Sequence, residues 1–373
     1  MALALSLSFP GGLSAQEPFY QGKTIRMVVG LSAGGGYDTY TRAIARHLSK
    51  HVPGKPAVIV ENMVGAGSLI AANHSFKVAK PDGLTIGHFI GGLFLQQLIG
   101  KPGIEFDGRK FEYLGAPAQD NQMVAISKRS GVTSVEQWIA SKTLVKFGGV
   151  GAGSATDDIT KVAKASLNLP IQLVTGYKGT AEIRLAFNSG EIDGLSSSWE
   201  SFKSTWPREV EAGEIRMILQ AVAKPHPQLP NVRRVVDYAK TDLDRKVIQV
   251  GIHDYNPTAR PYVLPPGTPK DRVQVLRKAF ADTFKDPEFI ADAQKAKLDL
   301  SPLSGEEFEK TVLEFYRADS EVVAKLKDIL LKLRWCRGLA LLSILLKNHP
   351  VILREPQDER RSDRNHWRFF RSC

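Results

Sequence analysis

Cysteine is nearly absent from this chain. The 373 residues include two cysteines, Cys336 and Cys373, and both lie close to the C-terminus. The part of the chain before Cys336 therefore contains no disulfide framework and no cysteine-based metal site. This distribution is compatible with export from the cytoplasm.

The chain has few long apolar runs. The run at 339–346 is far shorter than the roughly 20 residues that a membrane-spanning helix needs. Residues 1–17 resemble the apolar core and small-residue end of a secretory signal, with cleavage after Ala15, although the basic start of such a signal is missing. We interpret them as a truncated signal peptide, and an ordinary disordered terminus is the alternative.

Positive charge exceeds negative charge, but it is unevenly distributed. The net charge is +11, and residues 331–373 hold ten Lys/Arg against four Asp/Glu. The rest of the chain has no basic stripe interleaved with aromatic residues, so nucleic acid is not an expected partner. Residues 331–373 are predicted to be an atypical basic tail, largely disordered, and a membrane- or partner-binding tail is the alternative.

Several enzyme motifs are incomplete or missing. A phosphate-binding P-loop would place a lysine directly after Gly35, and none is present. A dinucleotide fingerprint that started at Gly34 would need glycine at Thr39. His47 and His51 are four residues apart without the glutamate of zinc proteases between them. We therefore predict no enzymatic activity, no catalytic residues, no metal and no cofactor.

The stretch at 25–38 is the most informative feature that is present. An apolar run at 25–29 predicts a buried strand, three glycines follow, and Asp38 is placed to be the N-cap of a helix over 39–48. Glycines let the backbone turn and approach a ligand closely, and a helix N-terminus favours negative charge. The stretch predicts an anion site, and a plain strand-to-helix turn is an equally good interpretation of these residues alone.

Strands and helices alternate along the chain. Further strands are predicted at 57–63 and 84–87, with a helix over 69–79 between them. This βαβαβ order predicts an α/β fold with parallel strands and right-handed crossovers. One long helix is predicted over 305–330. Gly91 follows the strand at 84–87, so it is expected on the same rim as the first glycine loop.

The strand–glycine–helix arrangement occurs a second time. A strand at 146–150 is followed by Gly151, Gly153 and short hydroxyl residues, and then by a helix over 158–167. Two such loops in successive α/β units indicate two half-sites that face one another. The alternative is that the second loop only caps its helix. Asp193 and Glu200 are interpreted as ligand-orienting or structural groups.

The order of these motifs resembles the solute-binding proteins of tripartite tricarboxylate transporters, also called the Bug family, over about residues 18–330. The resemblance rests on the following segments: 25–38, 60–62, 65–67, 81–83, 151–154, 176–179, 190–194 and 260–269. It implies a two-domain periplasmic-binding-protein-like fold, with each domain a mostly parallel sheet flanked by helices and a ligand cleft between them. The chain departs from the family at Asp157, where many relatives carry histidine, and at Gly30, where proline is frequent.

The resemblance also implies a function. Domain 1 is expected at 18–122 and 237–330, and domain 2 at 123–236. The protein is expected to be a periplasmic (exported) monomer that binds a small organic anion of the carboxylate type, through backbone amides of the loops at 31–38 and 151–157. Membrane subunits of a tripartite tricarboxylate transporter, or a sensor, are the expected partners. The alternative is an NAD-type oxidoreductase that uses the loop at 30–38.

The expected ligand-binding residues come from both glycine loops and from neighbouring loops on the same rim. They are Leu31, Ser32, Ala33, Gly34, Gly35, Gly36, Asp38, Gly91, Gly153, Ser154, Ala155, Thr156, Asp157, Tyr177 and Ser197.

Overall fold

The computed structural model describes residues 18–331, so the predicted signal peptide and all of the predicted tail after Leu331 lie outside the described residues. The strands are β1 (Thr24–Val29), β2 (Ala57–Asn62), β3 (Thr85–His88), β4 (Glu112–Ala116), β5 (Gln122–Ser127), β6 (Val145–Gly149), β7 (Ile171–Thr175), β8 (Gly194–Ser198), β9 (Ile215–Ala221), β10 (Tyr262–Leu264) and β11 (Leu303–Ser304). The α-helices are α1 (Gly36–Leu48), α2 (Leu69–Asn73), α3 (Leu93–Leu98), α4 (Val135–Ser141), α5 (Ala155–Leu167), α6 (Thr180–Ser189), α7 (Trp199–Thr205), α8 (Pro207–Glu211), α9 (Asp242–Ile248), α10 (Lys270–Thr283), α11 (Pro287–Lys295), α12 (Gly305–Phe315) and α13 (Ser320–Leu330).

The strands form two sheets. The first has the order β11-β4-β10-β3-β1-β2, and the second has the order β7-β6-β8-β5-β9. In the first sheet β1 pairs in parallel with β2 and β3, whereas β10 and β11 pair antiparallel with their neighbours. In the second sheet β6 is parallel to β7 and β8, and β5 is antiparallel to β8 and β9.

The predicted α/β class is confirmed, and the sheets are mixed rather than mostly parallel. The parallel pairings are the ones made by strand–helix–strand units, which return each strand in the same direction. The antiparallel pairings come from strands that are distant in sequence, such as β10 beside β3. Their direction depends on how the chain re-enters each sheet, which local patterns do not specify.

The first strand and helix are held together by one apolar core. Ile25 and Met27 of β1 are fully buried and share a cluster with Tyr40 and Ile44 of α1. Fully burying each such side chain contributes about 1.5–3 kcal/mol relative to exposure. This packing fixes the position of the N-terminus of α1 at the carboxyl end of β1.

The C-terminal helical region differs from the prediction. The structure has two helices, α12 and α13, in place of one long helix over 305–330. Asp319 has an extended backbone and its side chain accepts a hydrogen bond from the amide of Glu321, so it caps α13. The first helix ends at Phe315, and the new N-cap at Asp319 starts the second.

The predicted domain boundaries at 122/123 and 236/237 stay a prediction. The strands of the second sheet all lie within 122–221, and those of the first lie before and after this segment. Helix α13 packs against α5, so the end of the described chain contacts the part that carries the second sheet. None of the helices within residues 18–331 is long and apolar enough to span a membrane.

Candidate functional site

A cleft lies beyond the carboxyl ends of β1, β3, β6 and β8. It holds a cavity of about 40 Å³. Residues from both sheets line it. They are Leu31, Gly36, Tyr37, Ile90, Asp120, Gln122, Val150, Ser154, Ala155, Thr156, Thr180, Ser197, Ser198, Ser201, Tyr255 and Arg260. Ligands of open α/β sheets bind beyond the carboxyl ends of strands, so this is the candidate site.

The N-terminus of α1 forms one wall of the cleft. Helix α1 begins at Gly36, its N-cap is Gly35, and no side chain caps it. The first-turn amides of a helix have no partner within the helix, and the helix dipole makes this end positive. The start of α1 is therefore suited to an anion.

Asp38 is not the N-cap that its position in the sequence indicated. It lies in the first turn of α1, and its carboxylate accepts hydrogen bonds from the Gly34 amide at 2.9 Å, from Arg42 and from Asn62. Burial opposes ionisation, but these bonds hold the pKa of Asp38 below its usual value. The carboxylate of Asp38 is thus bound by groups of its own loop and of its neighbours. Asp38 is not among the residues that line the cleft.

The N-terminus of α5 forms the opposite wall. Ser154 is its N-cap and accepts a hydrogen bond from the amide of Asp157 at 3.3 Å. The Ser154 hydroxyl also donates to the carbonyl of Gly151 at 2.6 Å, which closes the glycine loop. This cap serves the third residue of the helix, so the amides of Ala155 and Thr156 in the first turn stay available at the cleft.

The carboxylate of Asp157 is directed into its own loop. One oxygen accepts the Gly151 amide at 2.8 Å, and the other accepts the Thr175 hydroxyl at 2.7 Å. The side chain is 1% exposed. Its negative charge therefore stabilises the loop from behind, and it is not among the residues that line the cleft.

A third helix N-terminus also reaches the cleft. Helix α6 begins at Thr180 with Gly179 as an uncapped N-cap. Next to it, the Ser32 hydroxyl of the first loop donates to Glu182 at 2.7 Å, and the Ser32 amide donates to the Lys178 carbonyl at 3.3 Å. The loops from the two sheets thus touch beside the cleft.

Arg260 is a buried cation in the cleft. It is 1% exposed, its Nε donates to Asp120, and its Nη2 donates to Ser198 and Ser201 at 3.0 Å each. The guanidinium also lies over the ring of Tyr37 at 4.8 Å. Burial alone would lower the pKa of Arg260, but the Asp120 carboxylate raises it well above its usual value. Arg260 is therefore charged at every relevant pH.

Asp120 lines the cleft, whereas Glu200 lies near Asp120 and is not among the lining residues. Burial raises the pKa of Asp120, although Arg260 and Gln122 oppose the shift. Glu200 accepts hydrogen bonds from the backbone and the side chain of Asn121, at 3.0 and 2.8 Å. Burial and the nearby Asp120 raise the pKa of Glu200 to about 7. Asp193, by contrast, pairs with Arg129 at 2.9 Å and does not line the cleft.

The described lining of the cleft contains no serine–histidine or cysteine–histidine pair. Residues 30–34 have the Gly-x-Ser-x-Gly spacing of a nucleophile elbow, but Ser32 donates to a carboxylate and has no histidine partner there. Among the described residues that line the cleft, none is histidine or cysteine. The group His47, Asp286 and Glu288 could hold a metal elsewhere, but Lys50 forms ion pairs with both carboxylates at 2.7 Å.

The structure brings six of the predicted residues to the cleft lining. These are Leu31, Gly36, Ser154, Ala155, Thr156 and Ser197. The remaining predicted residues do not line it: Ser32, Ala33, Gly34, Gly35, Asp38, Gly91, Gly153, Asp157 and Tyr177. Gly91 packs against the backbone at Thr258, and Tyr177 donates to Glu191. The assignment of ligand contacts stays a prediction.

Sequence reasoning missed most of the polar end of the cleft. Asp120, Gln122, Thr180, Ser201 and Arg260 line it without having been assigned to a site. A helix that begins directly after Gly179 could have indicated Thr180 as a site residue. Nothing local distinguishes Arg260 from a surface arginine, because its burial depends on residues 59 to 140 positions away.

A family model described as the tripartite tricarboxylate transporter family receptor matches residues 40–327. This chain belongs to that family. The match covers most of the chain and includes α5, α6, Arg260 and most of α1, which form the cleft. Members are periplasmic solute-binding proteins and not enzymes, so the oxidoreductase alternative is not supported.

Three similar proteins illustrate the relationship. The UPF0065 protein in the gbd 5′ region of Cupriavidus necator is 25% identical over 320 residues, which cover 84% of this chain and 90% of that protein. The periplasmic binding protein BugD has a TM-score of 0.67 at 21% identity, over 83% of this chain and 98% of BugD. R. palustris Rpa4515 with adipate has a TM-score of 0.66 at 23% identity, over 82% of this chain and 97% of Rpa4515. The two structures show a shared two-domain fold.

Proposed function

We propose that this protein captures a small carboxylate in the cleft outside the cytoplasm and presents it to the membrane subunits of a tripartite tricarboxylate-type transporter or to a sensor. The observation that carries the proposal is the convergence of the N-termini of α1, α5 and α6 on one cleft. Each offers backbone amides and the positive end of a helix dipole to an anion.

The hydrogen bonding of nearby acidic side chains within their own loops supports this binding mode. Asp38 and Asp157 both belong to glycine loops at the cleft, and both use their carboxylates within those loops. A carboxylate ligand would therefore meet amides and the cation of Arg260 before it met unpaired negative charge. The similar R. palustris protein Rpa4515 was solved with adipate, which is itself a carboxylate.

Export and association with membrane subunits are part of the same proposal. They rest on the family to which the chain belongs. We infer that the protein works as a monomer, because the cleft is built by one chain. Cell fractionation and light scattering test these two statements, and recovery of the protein in the cytoplasm or as a stable dimer would contradict them.

Titration calorimetry with the full chain tests the binding function. We expect at least one carboxylate from a panel of two to six carbons to bind at a 1:1 ratio, with NAD and duplex DNA as negative controls. Tight NAD binding without carboxylate binding would overturn the proposal.

A further inference from the structure

Two buried side-chain atoms of residues that line the cleft have no hydrogen-bond partner within the described protein. They are Nη1 of Arg260 and Oε1 of Gln122. Both side chains line the cleft, and both are only 1% exposed. Buried polar groups are almost always paired in folded proteins, so a donor and an acceptor left open in one cleft point to a ligand.

Asp120 determines which atoms are left open. One of its oxygens accepts from Arg260 Nε, and the other accepts from Gln122 Nε2 at 2.9 Å. A carboxylate can only accept, so the amide of Gln122 must turn its NH2 group toward Asp120 and its oxygen elsewhere. Orientation of this amide thus follows from the network.

The guanidinium of Arg260 is fixed in the same way. Its Nε is bound to Asp120 and its Nη2 to Ser198 and Ser201, which leaves Nη1 as the remaining donor. Both unpaired atoms belong to side chains that bind the carboxylate of Asp120 and line the same cleft. Nη1 requires an acceptor, and Oε1 requires a donor.

We propose that Arg260 and Gln122 select a carboxylate that bears a hydroxyl or ammonium group on the adjacent carbon. The carboxylate accepts from Arg260 Nη1, and the substituent donates to Gln122 Oε1. An unsubstituted carboxylate satisfies the arginine but leaves the amide oxygen unpaired. Sites built to pair with a substrate donor reject analogues that lack it. This inference rests on the proposed function and adds a ligand class to it.

Matched ligand series test the inference on the unaltered protein. Calorimetry compares succinate with malate and aspartate, glutarate with 2-hydroxyglutarate and glutamate, and propionate with lactate and alanine. In the series that binds, we expect the substituted acid to bind at least about tenfold more tightly than the unsubstituted one. The hydroxyl and amino members of each series show which donor the site takes.

A variant pair assigns the preference to Gln122. Gln122→Met keeps the length of the side chain but removes the amide oxygen. We expect it to reduce the ratio of the two affinities to about one. Gln172→Met is the matched control, since Gln172 is exposed on β7 and remote from the cleft lining. Circular dichroism verifies that both variants fold.

The possible outcomes separate the two proposals. Binding of carboxylates by the unaltered protein without preference for substituted acids overturns this inference and leaves the proposed function standing. A preference that persists in Gln122→Met also overturns it. Binding of no carboxylate at all overturns the proposed function itself. If Gln122→Met does not fold, the ligand series on the unaltered protein still decides.

Discussion

Arg260 and Asp120 form a fully buried ion pair that joins distant parts of the chain. Their side chains are 1% and 2% exposed, and Arg260 also bonds Ser198 and Ser201 near the start of α7. Desolvation of two charges offsets much of their attraction, so the pair adds little net stability. Removing one partner, however, leaves the other charge buried without a counter-charge. The pair therefore constrains geometry and leaves a cation in the cleft.

Double-mutant cycles measure this constraint. We expect Arg260→Met and Asp120→Asn each to lower the free energy of unfolding by about 3–5 kcal/mol, because each leaves a buried group without its partner. The free energy of unfolding of the double variant should fall clearly less than the sum of the decreases in the two single variants. Urea unfolding followed by circular dichroism gives the four values.

The exposed pair Lys270–Glu112 provides the control cycle. Its ammonium and carboxylate lie 2.8 Å apart, but the lysine side chain is 78% exposed. We expect a coupling energy below about 1 kcal/mol there. Additive effects at Arg260 and Asp120 would show that the buried pair does not act as a unit.

Asp158 makes stability depend on pH. It accepts from the Gly153 amide and from Gln96, and its Oδ1 has no partner among the described residues. Burial raises the pKa of Asp158 to about 7, Lys161 opposes the shift and Asp157 adds to it. Between about pH 4 and 7 the folded protein holds a proton that the unfolded chain releases, so stability falls as pH rises through this window.

Asp158→Asn should remove this dependence. The amide keeps an acceptor for Gly153 but does not ionise. We expect the variant to be more stable than the unaltered protein by roughly 1–3 kcal/mol at pH 8, and the two to converge near pH 4. Urea midpoints at both pH values provide the measurement. Parallel pH profiles for the two proteins would contradict the assignment.

At the level of elements, the approach of α1 to α7 sets the width of the cleft. A Cβ added to Gly36 would lie 2.3 Å from the Ser201 hydroxyl and 3.2 Å from its Cβ. Contacts this short require the backbone or Ser201 to shift. Glycine at the first position of α1 therefore allows the helix N-terminus to approach the opposite side of the cleft.

Gly36→Ala tests this role of the helix terminus. We expect affinity for the tightest-binding carboxylate of the panel to fall by about tenfold, or about 1.4 kcal/mol, because the first-turn amides move away from the ligand. Thermal stability should change little. Ala33→Val is the control, since Ala33 is exposed in the same loop and does not line the cleft. Unchanged affinity in Gly36→Ala would show that α1 does not contact the ligand.

Local patterns predicted the elements around the cleft because the information is local there. The strand at 25–29, the glycines after it and the start of α1 follow one another in the chain, and the structure places β1 and α1 accordingly. The same holds for β6, the loop at 151–154 and α5. The break at Asp319 was also readable, since an aspartate before Ser320-Glu321 is an N-cap signal.

Contacts between distant residues were not predictable in the same way. Asp38 and Asp157 were expected to face the ligand because of their positions beside glycine loops. Their carboxylates are satisfied within the protein instead, partly by Asn62 and Thr175, which belong to neighbouring strands. Asp120 binds both Arg260 and Gln122 at the cleft through hydrogen bonds between residues far apart in the chain or fixed by the fold. Side-chain direction in such networks depends on the assembled fold.

At the level of the whole molecule, the cleft is narrow because segments from opposite sides touch. Ser32 bonds Glu182, and Arg260 bonds Ser198 and Ser201 across the cleft. At the periphery Lys297 pairs with Glu211 at 2.8 Å. Exposed pairs of this kind contribute little each, so closure is expected to need the ligand as an additional bridge.

Small-angle scattering tests this dependence of closure on ligand. We expect the radius of gyration of the full chain, near or above the roughly 20 Å typical of a compact body of about 300 residues, to decrease when a binding carboxylate is added to saturation. An amide analogue of the same acid, which lacks the charge, is the control and should leave the profile unchanged. A ligand can shift the equilibrium only by its differential affinity for the two forms, so Gly36→Ala should close less than the unaltered protein at equal ligand concentration. Superimposable profiles with and without ligand would mean that the cleft is preformed, and that the contacts from Ser32 and Arg260 hold it closed on their own.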